Sequence, residues 1–243
     1  MKQVIYKIAE NVPLTDAVYK MVLLGDTSAN CAPGQFVNIK VQGFFLRRPI
    51  SVCDYEDGRL TLVYKIVGGG TKVLSQMQPG ETLDCLVGLG NGYSLDDSGD
   101  KPLLIGGGVG VPPLYNLCKQ LRAQGKQPTV VLGFNTKAEI FLEDAFCKLG
   151  AKTIVATADG SYGVKGFVTD AMAGLDYTYF YTCGPEPMFR AIEKVVTTAG
   201  EYSFEERMGC GFGACMGCSC KTKYGNKRIC KEGPVLKREE IIW

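Results

Sequence analysis

Not one histidine occurs among the 243 residues. That absence excludes acid–base catalysis by imidazole, Rieske-type ligation and ordinary His-rich metal sites. No apolar run approaches the roughly 18 residues that a membrane-spanning helix needs. The first residues, MKQVIYKIAENVPLTD, alternate instead of forming an apolar block, so no secretory signal is expected. A net charge of +2 offers no basis for binding nucleic acid. Disulfide signatures are also missing: eleven cysteines is an odd number with no paired framework, which fits a reducing cytoplasm. What is present is 46% apolar residues, enough for real cores, in a length suited to about two domains and some extra.

The most telling feature is a group of four cysteines near the C-terminus: Cys210, Cys215, Cys218 and Cys230. Their spacing, C-x4-C-x2-C and then, after a gap of eleven residues, a fourth Cys, matches the plant-type ligand pattern of a [2Fe–2S] cluster. Gly211, Gly213, Ala214 and Gly217 lie between them. Small residues there let a loop wrap a cluster closely and turn backbone N–H groups toward sulfur. Cys220 falls outside the pattern and reads as a strand neighbour. A structural zinc site is the alternative, since zinc also takes four thiolates, though usually as two short knuckles.

The first hundred residues read as β structure. Val4–Ile8, Ala17–Leu24, Gln35–Val41, Arg59–Val67 and Thr82–Leu86 are strand-like runs punctuated by Pro, Gly, Asn and Asp, which suggests a small barrel, with a short helix over Thr71–Met77. Two stretches point to a phosphate-bearing ligand. Arg47-Arg48-Pro49-Ile50-Ser51 offers guanidinium groups for phosphate and a hydroxyl for a ring nitrogen. Lys65-Ile66-Val67-Gly68-Gly69-Gly70-Thr71 offers a glycine run at the start of a helix. Each also has a plainer reading, as a solvated edge or an ordinary loop.

The middle reads as an α/β unit. Strand Leu103–Ile105 leads into Gly106-Gly107-Gly108-Val109-Gly110-Val111-Pro112-Pro113 and a helix over Leu114–Ala123. Strand Thr129–Leu132, helix Ala138–Leu149, and strands Thr153–Thr157 and Tyr179–Thr182 follow. A helix over Glu186–Thr198 presents Met188, Ile192, Val195 and Val196 on one face, with Gly200 expected to end it. Such alternation implies a parallel, doubly wound sheet. The glycine run does not satisfy G-x-G-x-x-G in either register. Cys183-Gly184-Pro185 stands at a strand end, where such sheets bind ligands.

Arg48-x-x-Ser51 in a β-domain, Gly-Gly-Gly-x-Gly-x-Pro-Pro-Leu at 106–114, and Cys-Gly-Pro at 183–185 resemble the ferredoxin–NADP reductase superfamily. The C-terminal cysteines, within Glu206-Arg207-Met208-Gly209-Cys210, narrow the resemblance to the electron-transfer subunits of dihydroorotate dehydrogenase B. It implies an α+β multidomain fold: an antiparallel β-barrel flavin domain over 1–98, a doubly wound parallel nucleotide domain over 99–201, and a small [2Fe–2S] domain over 202–243. It implies FAD contacts from Arg48, Pro49, Ile50 and Ser51, with Arg48 on the pyrophosphate and Ser51 near the ring. Val63, Tyr64 and Lys65 would pass along the flavin, and Gly70 and Thr71 would cradle its phosphates. Gly107, Gly108, Gly110 and Cys183 would face NAD, with Cys183 and Ser51 nearest the reacting atoms. The wider superfamily often has an aromatic residue where Ile50 stands.

Electron counting ties the parts together. Hydride exchange with NAD moves two electrons and the cluster takes one, so a flavin must stand between them. No constellation for oxidising an organic substrate is evident. The resemblance therefore implies a partner, the FMN-containing catalytic subunit that oxidises dihydroorotate in pyrimidine (UMP) synthesis, in a heterotetramer of two catalytic and two electron-transfer chains in the cytoplasm. The rivals are a flavin/iron–sulfur subunit of transhydrogenase or sulfide dehydrogenase type, and a zinc-stapled nucleotide-binding regulator. After the second strand of the α/β unit, Gly133–Lys137 supplies neither an acidic ribose clamp nor an arginine for a 2′-phosphate. The basic tail, with Lys221, Lys223, Lys227, Arg228, Lys231, Lys237 and Arg238, reads as a solvated face, a tuner of cluster potential or a docking surface.

Overall fold

A computed structural model describes all of residues 1–243. Strands β1 (Lys2–Pro13), β2 (Val18–Leu24), β3 (Phe36–Ile39), β4 (Arg48–Glu56) and β5 (Arg59–Lys65), helix α1 (Gly69–Gln76) and strand β6 (Thr82–Leu89) come first. The six strands close an antiparallel barrel in the order β1-β2-β5-β4-β3-β6. Alternation fills it: Val4, Tyr6 and Ile8 of β1 point inward with Val37, Ile39, Leu60, Leu62 and Tyr64. Sequence pattern alone does not reveal β4, because Arg-Arg-Pro imitates a turn. Pro49 is tolerated there because β4 pairs with β3 over residues 48–51 and with β5 only from Val52 onward.

Strand β7 (Pro102–Gly107), helix α2 (Pro113–Ala123), strand β8 (Thr129–Phe134), helix α3 (Glu143–Lys148), strands β9 (Lys152–Thr157) and β10 (Val164–Lys165), helix α4 (Val168–Ala171), strand β11 (Tyr179–Cys183), helix α5 (Glu186–Glu193) and strand β12 (Gly200–Ser203) form the second unit. Six parallel strands lie in the order β10-β9-β8-β7-β11-β12. Successive residues serve opposite faces. Leu104, Val130, Leu132 and Tyr181 pack with α2 and α3, while Leu103, Ile105, Val131 and Phe180 pack with α4 and α5.

Three expectations fail here for local reasons. The helix expected over Ala138–Leu149 begins only at Glu143. Phe141 is drawn into the core against Phe134, at 5.3 Å between ring centroids, and Leu142 adopts φ 63°. The helix from Glu186 stops at Glu193, so Val195 is exposed and Phe189 takes the buried position. Gly200 does not end that helix. It opens β12, where any Cβ would lie 2.3 Å from the Phe180 ring.

The C-terminal segment contributes strands β13 (Ser219–Thr222), β14 (Gly225–Arg228) and β15 (Val235–Lys237). β13 and β14 pair as a hairpin carrying Cys220, while β15 adds antiparallel to β12. The expected division at 201/202 therefore falls inside β12, and the cluster segment is sewn into the nucleotide sheet. Most of the basic tail is spent internally. Lys227 pairs with Glu240, Arg228 with Glu232, Lys237 with Asp97 and Arg238 with Glu193.

The barrel joins both units through its outer surface. Val18, Cys53 and Val63 share a core with α2, and Asp54 accepts from Asn116 (2.6 Å) and Lys119 (3.0 Å) on that helix. On β12, Glu201 is 3% exposed and accepts from the Ser94 N–H in the segment leading from barrel to sheet. Burial pushes its carboxyl from 4.5 up to about 7, against the pull of the Ser94 N–H and Lys237. A raised carboxyl costs nothing below the unfolded value and costs progressively more as pH climbs between the two. Glu201→Gln is thus expected to stabilise the fold by about 3 kcal/mol at pH 8 and to change little at pH 4. Thermal melts at the two pH values check this.

Candidate functional site

Pairing between β4 and β5 stops at Val52–Leu62. Beyond it, Arg48–Ser51 pair only with β3 and Val63–Lys65 only with β2. The two segments expected to touch a flavin thus present unpaired backbone edges to one slot in the barrel wall. Backbone serves here more than side chains. Tyr64 turns its ring into the barrel and donates its hydroxyl to Asn11 Oδ1 at 3.0 Å, and Val63 packs toward α2. Ile50 lies opposite Val37 and packs on the barrel core, so it does not replace an exposed stacking ring. Ser51 lies opposite Phe36.

The structure separates the two arginines. Arg47 donates to Asp84 Oδ1 at 3.0 Å and to the Asp84 carbonyl at 2.9 Å, tying strands together. Arg48 lies over the Phe44 ring, 4.7 Å from its centroid. Its Nε is so near the start of α1 that a Cβ on Gly70 would sit 2.3 Å away. Its Nη1 donates to the Leu46 carbonyl at 2.6 Å, and a guanidinium held beside the N–H groups of a helix's first turn has the chemistry to receive a phosphate. Thr71 contributes backbone only, since its hydroxyl accepts from the Val67 and Gly68 N–H groups at 2.9 and 3.2 Å.

In the second unit the chain runs outward from β7 to β8 on one side and to β11 on the other. The strand order reverses between β7 and β11, and ligands bind such sheets at that reversal, beyond the strand C-termini. Gly106–Gly110 and Cys183–Pro185 meet there, with Cys183 in register with Gly106. Gly110 is required by close approach, because a Cβ would lie 2.2 Å from the Cys183 carbonyl oxygen. Gly107 abuts Met188 Sδ, whereas Gly108, at φ 52°, faces open space. Burial pushes the Cys183 thiol up to about 12, which favours the neutral thiol at neutral pH.

The cysteines of the C-terminal loop meet in pairs. The Cys215 N–H donates to Cys210 Sγ (3.5 Å) and the Cys230 N–H to Cys218 Sγ (3.4 Å). Phe212 and Ala214 add N–H donors to Cys210 Sγ at 3.5 and 3.2 Å. Burial raises the Cys210 thiol, but these donors outweigh it and bring it down to about 6. Cys218 and Cys230 are buried and Cys215 is exposed. Two thiol pairs with N–H groups aimed at sulfur fit two bridged irons. A single tetrahedral zinc would call for four thiols about one point. Cys220 lies on the hairpin, half-buried.

Sequence reasoning missed what joins these sites. Phe36, on the barrel's outer face, packs in one apolar cluster with Leu89, Cys218 and Cys230. Its neighbour Asn38 donates from Nδ2 to the Cys210 carbonyl at 3.1 Å. The available signal was parity: in Phe36–Ile39 all four residues are buried, so the strand must be covered on both faces.

Residues 205–242 match a family described as the iron–sulfur cluster binding domain of dihydroorotate dehydrogenase B, and residues 104–194 match the oxidoreductase NAD-binding domain. The chain is 44% identical over 256 residues to the dihydroorotate dehydrogenase B (NAD(+)) electron transfer subunit of a Geobacillus species, covering 100% of this chain and 99% of that one. The subunit of the same name from Fusobacterium nucleatum is 42% identical over 250 residues, covering 96% of each. Among solved structures, a chain of the NADH-dependent reduced ferredoxin-NADP oxidoreductase superposes with TM-score 0.89 at 30% identity, covering 98% of this chain and 90% of that one. The ferredoxin reductase of carbazole 1,9a-dioxygenase, at TM-score 0.68 and 22% identity, shares the fold.

Proposed function

Because the chain belongs to the family of dihydroorotate dehydrogenase B electron transfer subunits, we propose that it links a dihydroorotate-oxidising FMN subunit to NAD. It is an oxidoreductase subunit of pyrimidine synthesis that carries FAD and a [2Fe–2S] cluster and binds NAD. When bound, NAD exchanges a hydride, FAD exchanges two electrons or one, and the cluster exchanges one. The observation that carries this reading is the shared apolar wall of Phe36, Leu89, Cys218 and Cys230, which sets the cluster loop against the strand pair holding Ser51.

The protein's own residues bind, orient and exclude water. Arg48 and the first turn of α1 neutralise the FAD pyrophosphate, while the slot edges at Arg48–Ser51 and Val63–Lys65 offer backbone groups to the ring, with Ser51 beside it. Gly107, Gly108 and Gly110 let NAD approach the strand ends, and the neutral Cys183 thiol shapes that end without taking a proton. Hydride exchange needs no general base there. Cys210, Cys215, Cys218 and Cys230 hold the cluster. Exposed Phe212 and Met216 beside exposed Cys215 give the loop an apolar rim suited to a partner subunit. We assign the barrel, nucleotide and cluster segments to 1–98, 99–203 and 204–243, moving the expected 201/202 division to the end of β12, with β15 returning to the nucleotide sheet. A cytoplasmic location and a two-plus-two assembly follow from this reading. All eleven cysteines are free thiols, and no helix is long and apolar enough to cross a membrane.

Arg48→Ala is expected to weaken FAD binding by about a hundredfold, since a charge-assisted hydrogen bond contributes roughly 1.5–3 kcal/mol. Arg48→Lys, which keeps charge but loses the fork, should lose about tenfold. Flavin fluorescence titration of apoprotein measures both. The structural likeness to the reduced ferredoxin-NADP oxidoreductase chain supports a second reading, a transhydrogenase-type subunit. Copurification separates the two: an FMN protein that oxidises dihydroorotate supports the first, and a multi-cluster partner supports the second.

A further inference from the structure

Asn38 is 1% exposed on the outer face of β3, where its parity-mate Phe36 also lies, while its neighbours Val37 and Ile39 point into the barrel. It touches both redox segments. Across the β3–β4 pair it stands opposite Pro49 of the flavin strand. On its other side Nδ2 donates 3.1 Å to the carbonyl of Cys210, 172 residues away in the chain. Gly211, at φ 79°, lies so close that a Cβ would be 2.3 Å from that nitrogen. Arg47, anchored by Asp84, donates to the Asn38 carbonyl at 3.3 Å.

The Oδ1 of Asn38 is buried and has no partner. An unmet buried acceptor costs free energy, and the Nδ2 hydrogen bond to the Cys210 carbonyl is what offsets it. The retained feature is the donor. It grips the Cys210–Gly211 peptide, and the orientation of that peptide sets where the next N–H groups point. Those groups, on Phe212, Ala214 and Cys215, are the ones aimed at Cys210 Sγ.

We propose that Asn38 is a positioning residue that seats the cluster loop on the flavin-binding strand and holds its N–H donors on the Cys210 sulfur. This rests on the flavin and cluster reading above. Donors to a cluster sulfur stabilise the reduced, more negative state and raise its potential. Removing the grip lowers the potential and slows electron exchange between flavin and cluster, while leaving NADH reduction of the flavin alone.

The test uses Asn38→Leu, near in size, and Asn38→Ala, which adds no bulk, in the complete complex. Iron and sulfide content and the visible spectrum of the wild type come first. A wild type without the cluster would overturn the cofactor reading and this proposal with it. The expected result is a variant that keeps its cluster and shows an altered EPR signal. Its cluster should be about tenfold harder to reduce, ~59 mV for one electron. Flavin reduction by NADH should stay within about twofold of wild type. A wild-type potential and EPR signal in a loaded variant would overturn the proposal while leaving the cofactor reading intact. So would loss of the cluster from both variants, which would make Asn38 a folding residue.

Discussion

Cys215→Ser is expected to abolish dihydroorotate-driven NAD reduction, by a hundredfold or more, while NADH still reduces the FAD at close to the normal rate. Serine at physiological pH is a hydroxyl, a far poorer ligand for iron than a thiolate. Cys215 is exposed, so the substitution empties no core, and the apolar wall of Phe36, Leu89, Cys218 and Cys230 stays filled. The slot at Arg48–Ser51 and the strand ends at Gly106–Gly110 and Cys183 lie on other elements and keep their geometry. Stopped-flow absorbance at the flavin band, with NADH on one side and the dihydroorotate-reduced partner on the other, reads the two halves separately. Equal loss in both halves would mean that the cluster loop holds the flavin site together and is not a separate station. The buried Cys218 is a worse choice of variant, since its substitution would also disturb the shared wall.

Gly110→Ala is expected to fail in the opposite half. A Cβ there meets the Cys183 carbonyl oxygen at 2.2 Å, its carbon at 2.4 Å and the Gly184 nitrogen at 2.6 Å. These are backbone atoms of a strand end and cannot swing aside as a side chain would. Overpacking of this kind costs about 1–3 kcal/mol. Displacing the two strand ends by an ångström should slow hydride exchange with NAD by about a hundredfold. The cluster and FAD remain bound, and electrons from the partner still reach the flavin. Gly125→Ala is the control: its position past α2 is open and away from the strand ends, so only the left-handed backbone at φ 81° resists, at about 1 kcal/mol. If both variants reduced FAD equally well, the close approach of β7 and β11 would have no part in placing NAD.

Much of this was legible in the amino-acid order because the chemistry is local. Three of the four thiols and the glycines between them sit within one loop, with the fourth just past the β13–β14 hairpin, and a strand, glycine turn and helix are contiguous at 102–123. What stayed hidden depends on contacts between distant residues. Arg47 and Arg48 are adjacent in sequence yet do different work, and only the position of Asp84 and of α1 tells them apart. β4 was not among the expected strands, and its change of pairing partner midway creates the slot expected to hold the flavin. The failed helix before Glu143 reflects Phe141 finding Phe134, a tertiary contact that overrides propensity. Gly200 was read as a stop for the helix before it, when its small size answers to the Phe180 ring beside it in the sheet. Asn38 carried a faint signal, a polar residue in an apolar strand, and its partner lies near the other end of the chain.

The central claim is that this chain conducts electrons between a dihydroorotate-oxidising partner and NAD through its own flavin and cluster. The most direct measurement is NAD reduction driven by dihydroorotate in the coexpressed complex, after its FMN, FAD, iron and sulfide have been quantified. The account predicts steady NADH formation that requires both subunits and disappears with Cys215→Ser. A complex carrying every cofactor that forms no NADH from dihydroorotate would contradict it.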